Sequence, residues 1–140
     1  MAGRGASQRA RPEYFTGRVR LVEAARAGRG EATRVFDVRF YAGARTKLHS
    51  HTGPQVLVAT AGSGSLVTYR RAGSRIVRVS RTRLSQGTAA YIPAGQLHTH
   101  GSTSAARTFS HIAVNLPARA GRESEAAWYD SDLATYATRI

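Results

Sequence analysis

The chain has no cysteine, which excludes disulfides and thiolate-bound zinc alike. Acidic residues are nearly as scarce: 8 Asp plus Glu stand against 21 Lys plus Arg in 140 residues, and none lies between Val38 and Arg122. That gap counts against two-carboxylate glycoside hydrolysis. No apolar run in the sequence approaches the roughly 20 residues needed to span a bilayer, so no membrane partner is expected. The opening MAGRGASQRARPEY is basic, yet no hydrophobic stretch of a secretory signal follows it. A cytoplasmic protein is the expectation.

Arginine, by contrast, is abundant. The formal net charge is +13, and Lys47 alone among the 21 basic residues is not arginine. Such a bias raises the question of nucleic acid. The arginines spread along the chain, however (Arg4, Arg18, Arg34, Arg70, Arg78, Arg107, Arg119), and no recognition motif accompanies them. No specific nucleic-acid partner is expected, only weak, salt-sensitive attraction to polyanions.

A length of 140 residues with 41% hydrophobic content suits one domain with a real core. Residues 1–12 are rich in Gly, Ala and Arg and read as a flexible basic arm. Beyond them FTGRVRLV is rich in β-formers. TRVFDVRFY alternates, with Phe36, Val38 and Phe40 on one face and Asp37 and Arg39 on the other. KLHSH and QVLVAT read as strands broken by TGP, and AGSGS as a glycine-rich hairpin reversal. SLVTYRR, SRIVRVSR, TAAYIP and ARTFSHIAVNLP follow as further strands. Short strands punctuated by Gly, Pro and Ser predict an all-β sandwich or barrel over residues 13–118. The tail ESEAAWYDSDLATYATRI lacks alternation and sets Trp128, Leu133 and Tyr136 near helical spacing. A short helical segment packed on the barrel is expected over residues 119–140.

All five histidines fall between residues 49 and 111: His49, His51, His98, His100 and His111. Residues one apart on a strand share a face, so His49 and His51 can grip one metal ion. His98 and His100 repeat that spacing. With no acid nearby in sequence, such a site would be built mostly from neutral ligands. The wall residues Phe36, Val38, Phe40, Leu57 and Ile112 are expected to face the barrel interior.

Two glycine frames hold four of these histidines. The first reads Gly43-ARTKL-His49-Ser50-His51-TGP-Gln55-VLVATA-Gly62, and the second Gly87-TAAYI-Pro93-Ala94-Gly95-QL-His98-THG-Ser102. Spacing and order resemble the two motifs of the cupin family, with glutamine in the first motif's glutamate slot and serine where asparagine ends the second. The resemblance covers roughly residues 36–116. His-x-His-x3-Gln, His100 and the AARTFSHIAVN strand narrow it to small bacterial cupins that include manganese-dependent hydroxynitrile lyases. FTGRVR near the N-terminus is similar to that subgroup too.

The resemblance implies a double-stranded β-helix, the jelly-roll barrel, and a divalent transition metal on His49, His51, Gln55 and His98. Manganese is the first choice, with iron, nickel, cobalt and zinc as alternatives; imidazole suits all of these and an amide oxygen the harder ones. Glutamine in place of glutamate leaves the site near its full double charge and a stronger Lewis acid. His100 and His111 lie outside the family's general ligand set. They are candidate catalytic acids or bases, or else core histidines bonded to backbone or to a ligand. The expected function is a lyase acting on a small carbonyl or hydroxyl compound. An iron- or nickel-dependent dioxygenase or isomerase, and a non-enzymatic small-molecule sensor or storage barrel, stand as alternatives. A homodimer paired through edge strands is expected on the same resemblance. The TGP loop and Ser102 depart from the subgroup, so substrate identity does not carry over.

Overall fold

The structure, a computed structural model, describes residues 8–26, 31–131 and 137–140. Alternating sequences form β3 (Val19–Arg26) and β4 (Arg34–Phe40) as antiparallel neighbours, with β1 (Gln8–Arg9) along the far side of β3. On the other side of β4 comes β11 (Phe109–Asn115), then β7 (Gln55–Ala72), β10 (Leu97–Ser102), β5 (Arg45–Thr46) and β2 (Phe15–Thr16). β8 (Arg75–Ser85) and β9 (Ala89–Ile92) also pair with β7, while β6 (His49–His51) pairs with β10 and with β12 (Ala126–Trp128). Every pairing among these strands is antiparallel. The sheet curls into the jelly-roll form that the sequence resemblance implies.

β7 makes the curl possible. Its first residues pair with β9 and β11, and from Ser63 onward it pairs with β8 and β10. The crossing point is AGSGS, where a hairpin reversal was expected. The chain instead runs on through a corner, with Gly62 at φ 74°. A side chain at Gly62 would strike the Thr108 carbonyl, and one at Gly64 would lie 2.6 Å from the Gly101 oxygen. These glycines serve close approach and bending of one long strand, and the reversal itself falls later, at Gly73.

The core follows the pleat. Phe36, Val38 and Phe40 turn to the same side of β4, as expected, and Phe40 and Phe109 stack with centroids 6.1 Å apart. A second, smaller cluster joins Leu48, Ile76, Leu97 and Tyr129. On β11 the same alternation turns His111 and Ala113 inward. Ile112, expected to face the barrel, therefore lies on the opposite face, half-buried and outside both clusters.

The C-terminal segment also differs from expectation. Among the described residues there is no helix: Ala126–Trp128 is a strand on β6, and Tyr129 bridges to Arg139. An open strand edge offers ready partners for backbone groups, whereas a helix this short is marginal alone. Leu133 and Tyr136 lie outside the described residues, as do residues 1–7 of the basic arm. Among the described residues no helix is long and apolar enough to cross a membrane.

Candidate metal centre

Strand register assembles the site. His98 on β10 lies directly across from His49 on β6, and Trp128 on β12 lies across from His49 on its other side. Cross-strand partners share a face, so a row of three rings forms, with His49 4.2 Å from His98 and 4.2 Å from Trp128. Period two then sets His51 beside them, 5.0 Å from the His49 ring and 5.6 Å from that of His98. His100, two residues along β10, lies 5.6 Å from His98 and 5.4 Å from His49. Gln55 enters from the start of β7, across from Asn115 on β11.

Hydrogen bonds fix which atoms face inward. His49 Nδ1 lies 2.9 Å from the Lys47 carbonyl and His98 Nδ1 lies 2.8 Å from that of Gln96. A carbonyl only accepts, so both Nδ1 atoms carry the proton and both Nε2 atoms are bare. Gln55 Nε2 donates to Asn115 Oδ1 at 2.7 Å, which orients the amide and frees its oxygen. His51 Nε2, Gln55 Oε1, His98 Nε2 and His100 Nε2 are buried without a hydrogen-bond partner. Leaving polar atoms so placed is costly unless a ligand satisfies them.

The electrostatics favour neutral donors. Burial holds the His98 imidazolium down to about 3 and those of His51 and His111 to about 4. Burial first and neighbouring histidines second push His49 and His100 well below the ordinary range. All five are neutral at pH 7 and free to ligate. The donor set fits a divalent first-row metal: imidazole nitrogens and an amide oxygen, with no thiolate and no carboxylate.

All four residues that the resemblance assigned as ligands, His49, His51, Gln55 and His98, come to this place. His100 comes as well, and the ligand nitrogens of His49, His98 and His100 lie within 4.8 Å of one another. His111 stands behind His100, its Nε2 3.0 Å from His100 Nδ1. A cavity of about 410 Å³ opens onto His49, His51, Gln55, His100 and His111, walled by Tyr14, Phe36, Val38, Phe40 and Trp128 among others. Ser102, where the second motif departs, points elsewhere: its hydroxyl donates to the carbonyls of Ser104 and Arg107 and ties down the following turn.

Sequence reasoning missed three contributors. Trp128 stacks on His49, Tyr14 stacks on Trp128 at 4.5 Å, and Asn115 orients Gln55. Trp128, as the sole tryptophan, carried a faint compositional signal. Asn115 and Tyr14 carried none.

An all-β jelly roll with buried histidines gathered at its inner face defines a small barrel protein with a candidate metal site. The chain belongs to the cupin family, whose profile matches residues 6–135. Among solved structures, a cupin-like protein of Thermotoga maritima is 28% identical, with a TM-score of 0.69 and 96% of each chain covered. A cupin superfamily protein of Desulfitobacterium hafniense is 15% identical, with a TM-score of 0.54 over 70% of this chain and 76% of that one. Vicilin of hazelnut, Corylus avellana, is 19% identical, with a TM-score of 0.64 over 88% of this chain and 34% of its own. The last two likenesses show the fold alone. No curated protein matches the chain in sequence.

Proposed function

We propose that this cupin is a metal-dependent lyase for a small carbonyl or hydroxyl compound, of the hydroxynitrile-lyase-like kind. Manganese is the proposed metal and His49, His51, Gln55 and His98 its ligands. The reading is carried by the buried, unpartnered His51 Nε2, Gln55 Oε1 and His98 Nε2, whose neighbours already occupy their other polar atoms where these bond at all. A bound divalent ion would supply Lewis acidity toward a substrate oxygen.

The chain's own contribution is the histidine pair behind the ligands. With Nδ1–H of His100 donated to His111 Nε2, the outer Nε2 of His100 is bare and acts as a base toward a substrate hydroxyl. In the reverse tautomer His111 donates, His100 carries its proton on Nε2, and the pair acts as an acid. Aromatic and aliphatic side chains, Phe36, Val38, Phe40 and Trp128 among them, line the approach to that exchange. A homodimer paired by edge strands is part of the proposal.

A second assignment has a specific observation behind it. The close nitrogen triad of His49, His98 and His100 supports a set in which His100 is a ligand in place of His51. Elemental analysis and turnover of two variants decide. On the first assignment His51→Ala lowers metal affinity about tenfold or more, while His100→Ala keeps its metal and loses about a hundredfold in rate. The opposite pattern assigns His100 to the metal. Metal content indifferent to both changes overturns metal binding at this site. Turnover of an aldehyde with cyanide, run beside a dioxygen electrode, separates the lyase from an oxygenase.

A further inference from the structure

Two arginines of β8, Arg81 and Arg83, lie on the face of the sheet opposite to the histidines. Arg83 and Arg81 pair with Ser65 and Val67 on β7, which pair in turn with Gly101 and Thr99 on β10. His100 pairs with Leu66, so by the pleat it leaves the sheet on the other side, toward the metal centre. Arg107 arrives from the turn that Ser102 ties down. Arg81, Arg83 and Arg107, with Ser63, Ser65 and Thr103, line a groove of about 420 Å³.

Its charge is lopsided. All three arginines are exposed, and among the described residues none pairs with a carboxylate. Sequence offers no local remedy, since no acid occurs between Val38 and Arg122. The floor adds donors. Arg45 Nη1 donates to Ser65 Oγ at 3.0 Å and to the Ser102 carbonyl at 2.9 Å. Ser65 Oγ, having accepted from Arg45, keeps its own proton to give. Three guanidiniums around one concavity repel each other, and a multiply charged oxyanion relieves that repulsion. Planar guanidinium forks match phosphate oxygens two at a time.

We propose that this groove binds the phosphate group of a small molecule, at a site separate from the metal centre. Inorganic pyrophosphate is the probe, titrated calorimetrically at ~150 mM salt so that diffuse attraction is screened. Saturable binding is expected, weakened about tenfold or more in Arg81→Ala/Arg83→Ala. Arg75→Ala/Arg78→Ala removes the same charge from the same strand outside the groove and should cost less than about twofold. Arg107→Ala, from a different segment, should weaken binding as well and serves if the first double variant fails to fold. Absence of saturable heat, or equal losses in the two double variants, overturns the site. So does a single-stranded oligonucleotide that alone depends on Arg81 and Arg83 while pyrophosphate does not bind, because the ligand would then be nucleic acid.

Discussion

Metal-free protein taken from pH 7.5 to pH 5 is expected to lose about 4 kcal/mol of folding stability, or more, with a thermal midpoint lowered by ~10 °C or more. The cause is the set of buried neutral imidazoles. In the folded chain His98 titrates at about 3 and His111 at about 4, against 6.5 for the exposed side chain. The folded values lie below the unfolded one, so as pH falls the unfolded chain takes up protons first. The stability these groups contribute is therefore fully present above pH 6.5, declines below it, and stops declining only as pH passes through the folded values. At roughly 1.4 kcal/mol per pH unit, each of the two costs about 2 kcal/mol at pH 5. His49, His51 and His100 shift in the same direction and add to the loss. Against a typical total of about 5–15 kcal/mol, this is enough to unfold a marginal domain. A midpoint that stays level between pH 7.5 and pH 5 would mean that the histidines are hydrated and charged in the native state, and the donor set would lose its physical basis. Added manganese should raise the midpoint at pH 7.5 and do progressively less on acidification, because protons and metal compete for the same nitrogens.

Much of this centre was legible because its parts obey the strand period. His49 with His51, and His98 with His100, need only a pleated backbone to point the same way, and the two glycine frames placed both pairs in one fold. The bowl wall of Phe36, Val38 and Phe40 was legible for the same reason. What escaped notice depends on pairing between distant segments. Trp128 reaches His49 only because Ala126–Trp128 pairs with His49–His51, and no local pattern in the tail announces a strand that short. Asn115 matters only because β11 and β7 align it with Gln55.

Two misreadings have a common origin in assigning a residue its ordinary use. Glycine and serine in AGSGS suit a hairpin, but the same residues also let one long strand turn a corner against Thr108 and Gly101. Ile112 is the apolar choice for an inward position. It was displaced because His111, fully buried, takes the inward side of β11 for its bond to His100. A sheet that places chemistry in its interior inverts the usual reading of apolar inside and polar outside, and the inversion shows in the strand neighbours of a buried histidine.

Gln55→Glu is expected to destabilise the metal-free protein and to bind manganese more tightly, so that metal restores most of the lost stability. Gln55 is 4% exposed, its Nε2 bonded to Asn115 and its Oε1 without a hydrogen-bond partner. A carboxylate there brings a charge into a buried site. Asn115 can turn its amide over to donate, which mends the hydrogen bond but leaves the charge desolvated. At pH 8 the surrounding imidazoles are neutral and give it no cationic partner, so the metal-free variant should lose about 3 kcal/mol. With manganese present the same charge faces a dication, and affinity should rise about tenfold to a hundredfold. That gain is worth about 1.4–2.7 kcal/mol and recovers most of the loss, so the loaded variant should approach the loaded parent in stability and be the slower lyase, since the added negative charge weakens the pull on a substrate oxygen. Gln55→Leu removes the orphaned oxygen but also strips Asn115 Oδ1 of its donor, so metal-free stability should change by less than about 1 kcal/mol while metal binding weakens. Manganese titrations of the three proteins at pH 8, with thermal midpoints taken at each end, measure both legs. Should the glutamate variant bind manganese no more tightly than the parent, Gln55 Oε1 is not a ligand, and the centre contracts to its histidines.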